Sequence, residues 1–175
     1  NHILAIGLEG YSADSHLHRL SPHDCLDELK KADALVWVPH PFGFFNVWVA
    51  PIFNLPWKIW DHRIDAIELG TFTVDWFEGL RPWNIHRNFS SSKRANLRVR
   101  PRVLQLWDEL NQHRPVAGFI GADAHNAKLG WLKSPPYEDI FQTHNIQMHA
   151  GQRTGDAAKD LAELRLAMRE HLVVN

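Results

Sequence analysis

The sequence predicts an α/β fold built on a parallel sheet, and three observations predict it. Short, near-continuously apolar runs recur at Asn1 to Leu8, Ala34 to Pro39, Ile64 to Gly70 and Val116 to Ile120, as expected of strands buried on both faces. Helix signals stand between them, at Ser21-Pro22-His23-Asp24 and at Pro101. Several runs end in Gly, Pro or a polar loop, and in folds of this class the sites sit at the strands' carboxyl ends.

The elements follow in order. The first run is a core-strand pattern with no lead-in loop, so the chain reads as truncated. Glu9 to Leu20 is a polar loop holding His16 and His18. Ser21 as cap, Pro22 at the first helical position and Asp24 in the first turn start a helix that runs to about Lys31, with Cys25, Leu26 and Leu29 inward. After the strand Ala34 to Pro39, residues 41–62 form an aromatic insertion: Phe42, Phe44, Phe45, Trp48, Phe53, Trp57 and Trp60, broken by Pro51 and Pro56, suit a packed lid over a pocket. Thr71 to Arg100 has no clear periodicity. From Pro101, Val103, Leu106, Trp107 and Leu110 recur at helical spacing. Tyr137 to Phe141 reads as a short helix, and Asn145 to Met148 as a short strand. Ala157 to His171 reads as an amphipathic helix through Leu161, Leu164 and Met168, capped by Asp156.

Composition narrows the function classes. Nineteen basic residues against 20 acidic ones leave a net charge of −1, so no overall field draws the molecule to nucleic acid or an anionic membrane. A local basic cluster, Lys93, Arg94, Arg98, Arg100 and Arg102, is a solvated face or a guide for a phosphate. One cysteine, Cys25, excludes an internal disulfide framework and suits a cytoplasmic protein. No apolar stretch approaches the ~20 residues needed to span a bilayer. Twelve histidines in 175 residues are many, which points to metal or acid-base chemistry.

The strongest chemical signal is Gly121-Ala122-Asp123-Ala124-His125, directly after the strand Val116 to Ile120. Asp and His two positions apart in an extended segment point the same way and offer a hard oxygen and a borderline nitrogen. His40 closes an earlier strand, and Pro41 after it biases its backbone to an extended form. The pattern around His2 buries it, as a core histidine or as a ligand. His16-Leu17-His18 has a spacing that can chelate, in a loop where two solvated histidines fit equally. His62, His86, His113, His144, His149 and His171 have no evident convergent partner.

Taken in order, His2 to Gly7, Leu20-Ser21-Pro22 before a helix, Val38 to Phe42, Asp65 to Leu69, and Gly121 to His125 with Leu129-Gly130 closely resemble the later part of PHP domains. These are the polymerase-and-histidinol-phosphatase family of metal-dependent phosphoesterases. The resemblance covers roughly residues 1 to 130 and implies a single PHP-like domain over 1–175, the C-terminal half of a distorted, TIM-like (β/α)7 barrel. It implies that His2, His40, Asp123 and His125 bind divalent metal, Zn, Mn or Fe, with His40, Asp123 and His125 carrying the catalysis. The implied substrate is a small phosphorylated compound or nucleotide. The family's opening H-X-H, Asp-His and bridging Glu are absent from this sequence, so the resemblance implies that a missing N-terminal half, or a second copy in a homo-oligomer, supplies them. A metal-dependent amidohydrolase and a non-catalytic barrel fragment that serves as a binding module are the alternatives.

Overall fold

The computed structural model of the chain describes residues 2–8, 16–42, 56–79, 83–84, 98–125, 128–129, 132–142, 147–148, 154–170 and 172–173. At its centre is a four-stranded mixed sheet, open among these residues, in the order β1 (Leu4–Ile6), β2 (Leu35–Val38), β3 (Ala66–Thr71) and β4 (Ala117–Gly121). Strands β2, β3 and β4 are parallel, as expected of their apolar runs. The fold is therefore mixed α/β.

Strand β1 departs from the all-parallel expectation: it runs antiparallel to β2, with Leu4 opposite Trp37 and Ile6 opposite Leu35. It is also a three-residue edge strand, with Leu4 45% exposed, rather than a buried core strand. An antiparallel edge tolerates one solvated face, which suits this half-exposed pattern. The reversal places the start of β1, and His2 before it, beside the carboxyl end of β2.

The helices are α1 (Pro22–Lys31), α2 (Phe72–Gly79), α3 (Pro101–Asn111), α4 (Tyr137–Phe141) and α5 (Ala157–Glu170). Val36, Val38, Ile67 and Leu69 turn one face of the sheet toward Leu26 and Leu29 of α1 and Val103 of α3, with Trp57 and Ile64 in the same core. Leu35, Trp37, Ala66 and Phe119 form the other face, against which Ile6 and Leu164 of α5 pack. Two short antiparallel pairs complete the described elements: β5 (Lys128–Leu129) with β6 (Leu132–Lys133), and β7 (Gln147–Met148) with β8 (Leu172–Val173). Among the described residues no helix is long and apolar enough to cross a membrane.

The helix starts are set locally. Ser21 Oγ accepts the Asp24 N–H at 3.2 Å, and Asp156 Oδ1 accepts the N–H groups of Ala158 at 3.0 Å and Lys159 at 3.3 Å. Helix α2 was not legible as an element. Residues 71–76 are all buried, so the segment has no polar face and no amphipathic stripe to read. In the aromatic insertion, Trp57 is buried and its N–H bonds Pro41 O at 2.8 Å, while Phe42 and Trp60 pack with ring centres 6.4 Å apart. Phe44, Phe45, Trp48 and Phe53 lie outside the described residues, as do residues 145–146 and the side chain of Met168.

Two acidic side chains tie the loop between β2 and β3. Asp65 Oδ2 accepts the Val36 N–H at 2.7 Å and the Lys30 ammonium at 2.6 Å. Asp61 accepts the guanidinium and the N–H of Arg63, and the guanidinium holds its carboxyl at about 2. A carboxyl held below its ordinary value of 3.8 stabilises the fold above that value, and the contribution disappears as pH falls through about 2. With solvent screening, Asp61→Asn is expected to lower stability at pH 6 by on the order of 1 kcal/mol. In thermal melts of the two proteins the gap should close between pH 4 and 2. A gap independent of pH would contradict the ion pair.

Candidate metal centre

His2 and His40 come together from strands that run in opposite directions. His2 Nδ1 lies 3.1 Å from His40 Nε2, with the rings edge to face at 78°. His2 is exposed rather than buried, because the edge strand leaves the residue before it outside the core. His40 is half-buried, and burial is the main cause that holds its imidazole below the usual histidine range; the charge of Asp123 acts the other way. Burial thus favours the neutral ring, the form whose nitrogen lone pair can bind a cation.

The backbone of His40 is not extended, as Pro41 led one to expect, but left-handed at φ 30°. In that conformation its N–H is donated to Glu68 Oε2. Asp123 is likewise left-handed, at φ 43°, so the Asp-Ala-His segment is not the extended run its spacing suggested. The two side chains still meet: His125 Nε2 lies 3.1 Å from Asp123 Oδ1. Thr73 Oγ1 of α2 donates to Ala122 O at 3.0 Å and Asp123 O at 2.5 Å, and Ser134 Oγ donates to His125 O at 2.7 Å. These bonds hold the loop through its carbonyl oxygens and do not use the Asp123 and His125 side chains.

Both pairs stand at the carboxyl edge of the parallel strands, one after β2 and the other after β4. Between them, on β3, is Glu68, which is 2% exposed. Burial pushes its carboxyl up to about 7; hydrogen bonds from Thr71 and the His40 amide pull it down, and the charge of Asp123 adds to the rise. The register of β3 against β4 shifts between Glu68 and Gly70, a bulge of the kind that re-aims side chains beside sites. Sequence reasoning missed Glu68 as a functional residue. The available signal was a charge inside the apolar run Ile64 to Gly70, since a buried carboxylate requires partners.

Whether these residues suit a cation is decided by their donors. Two ligands on one cation at about 2.1 Å must lie roughly 3–3.4 Å apart, and both pairs have that separation. Each pair supplies two donors, half of a four-coordinate site. Among the described residues no three His, Cys, Asp or Glu side chains gather around one point. The residues thus fit as two partial sites.

Of the basic cluster, Arg100 lines a small cavity with His40, Phe42, Glu68 and Thr71, and it pairs with Asp75 Oδ1 at 2.9 Å. Arg102 lies over the Phe42 ring at 4.4 Å. Lys93 and Arg94 lie outside the described residues. His16 and His18 are exposed on a 3-10 turn (His16–Arg19), where His18 Nε2 meets Arg19 Nε at 3.3 Å. His62 and His113 are exposed, whereas His86, His144, His149, His171 and Gly130 lie outside the described residues. No family model, curated protein or solved structure matches the chain.

Proposed function

We propose that this chain is the C-terminal part of a PHP-type phosphoesterase, a portion of a distorted (β/α)7 barrel that hydrolyses phosphate esters with a metal-activated water. The observation that carries this reading is the convergence of His2 on His40 at the strand edge that also bears Asp123 and His125. His2, His40, Asp123 and His125 would hold the divalent cations, with Zn, Mn and Fe all suited to mixed imidazole and carboxylate ligands. Cations in such a site lower the pKa of bound water and neutralise phosphoryl oxygens during in-line attack. His40, whose neutral form is favoured by burial, contributes an imidazole donor. Asp123 contributes negative charge at the same edge, and Arg100 faces the adjoining cavity with a cation suited to a phosphoryl group. No side-chain nucleophile is needed. The substrate class is a small phosphorylated compound or nucleotide, and the rest of the site comes from an N-terminal half or a second copy.

The antiparallel direction of β1 favours a second reading. A barrel of parallel strands does not require it, and the same edge then belongs to a binding module that holds metal without catalysis.

The test is hydrolysis of p-nitrophenyl phosphate and of a nucleotide 3′-phosphate with added Mn, against amide and lactone substrates. Mn-dependent phosphate release that is lost in His125→Ala is the expected result. Turnover of the amide or lactone alone would replace the reading with an amidohydrolase. Equal, near-zero metal content in the wild type and His125→Ala would end the catalytic reading.

A further inference from the structure

Glu68 has no place among the four donors, yet it is the most buried charged group at this edge. Its Oε2 accepts the N–H of His40 at the end of β2. Its Oε1 fills the space above Gly121 at the end of β4, where a Cβ would fall 1.8 Å from it. One carboxylate therefore touches the backbone of both strands that carry the metal-capable side chains. Two of the three described non-glycine residues with positive φ stand at this edge. His40 itself, and Asp123 two positions beyond Gly121, both have positive φ. Non-glycine residues keep such a conformation only where their surroundings impose it.

A direct ligand would present an oxygen toward solvent and the neighbouring donors. The Glu68 carboxylate is instead buried, with Oε2 bonded to the His40 amide, Oε1 packed against Gly121 and a further hydrogen bond from Thr71. We propose that Glu68 is a positioning residue, a strut across β2, β3 and β4 that sets the spacing between the His2–His40 and Asp123–His125 pairs. This rests on the metal-centre reading and deepens it: the strut acts through His40 and the Asp123 loop, not by ligation. The Gly121 of the Gly-Ala-Asp-Ala-His motif is then required because only a residue without a side chain leaves room for the carboxylate.

The experiment uses cobalt(II) as the probe, read by its visible absorption, together with hydrogen exchange of the His40 amide in the metal-free protein. Loss of a group that orients a ligand typically weakens metal binding 10–100-fold, and Glu68→Ala should weaken cobalt binding by about that factor and expose the His40 amide to exchange. Glu68→Gln keeps an acceptor oxygen and should hold affinity within a few-fold, with the amide still protected. Gly121→Ala should weaken binding although the carboxylate remains, because the added methyl displaces it. Unchanged cobalt affinity and spectrum in a folded Glu68→Ala, beside tight binding by the wild type, would overturn the positioning role alone. So would equal losses in the Gln and Ala variants, since that pattern belongs to a direct ligand. A wild type that binds no cobalt would overturn the metal-centre reading and this role with it, even if the amide were protected.

Discussion

On the proposed metal-centre reading, His40→Ala is expected to lower affinity for divalent cations by at least about 100-fold, beyond the range found when only an orienting partner of a ligand is removed. Mn-dependent phosphate release is lost with it. His40 is central for three reasons. Its ring meets His2 at 3.1 Å, its side chain lines the cavity, and Asp123 is near enough to shift its titration. Removing the ring leaves the exposed His2 as a single donor on its side of the edge. The fold should survive, because the contact made by the His40 backbone to Glu68 is independent of the ring. A thermal midpoint within a few degrees of the wild type, beside lost metal binding, is therefore the expected pair of results. Retained affinity would remove His40 from the site.

Asp75→Ala is expected to destabilise the protein by about 3–5 kcal/mol, the range for removing one member of a buried ion pair. The Asp75 side chain is 4% exposed, and both of its oxygens are used. Oδ2 accepts the Arg98 N–H at 2.7 Å and Oδ1 accepts the Arg100 guanidinium at 2.9 Å. These bonds fasten the segment that leads into α3 onto α2, and they fix the cationic wall of the cavity beside His40. The alanine variant removes both acceptors and the compensating charge. Asp75→Asn, which keeps an acceptor but not the charge, should lie between alanine and wild type. Chemical denaturation reads the difference, and a loss below about 1 kcal/mol, the size of an exposed pair, would contradict a buried structural role.

The parallel part of the sheet was legible because β2 and β3 are buried along their length and β4 at its centre, and all three carry mostly apolar runs. The starts of α1 and α5 were legible because Ser21 and Asp156 act as caps through local bonds that sequence alone specifies. The direction of β1 was not. Its pairing depends on where the chain returns through α1, and an apolar run of that length is compatible with either orientation. Helix α2 was hidden for the opposite reason to an amphipathic helix: Phe72, Thr73, Val74, Asp75 and Trp76 are all buried, so burial erases the period.

The four site residues follow from the resemblance to PHP domains, and the structure brings them into two pairs. The route to that geometry was not legible. His40 and Asp123 take left-handed backbones that their sequence neighbours do not favour, and both are held by contacts from other elements. Glu68 escaped notice because its contacts are a backbone amide, a glycine and a threonine three positions on, which form no charge-pairing pattern to read.

The most direct test of the metal centre is to locate the cation. Crystals grown with Zn or Mn and measured at the metal's absorption edge should show an anomalous peak bonded to His2 and His40, at about 2.1 Å for Zn, and a second beside Asp123 and His125. Peaks confined to other residues, or none at this edge at saturating metal, would contradict the account.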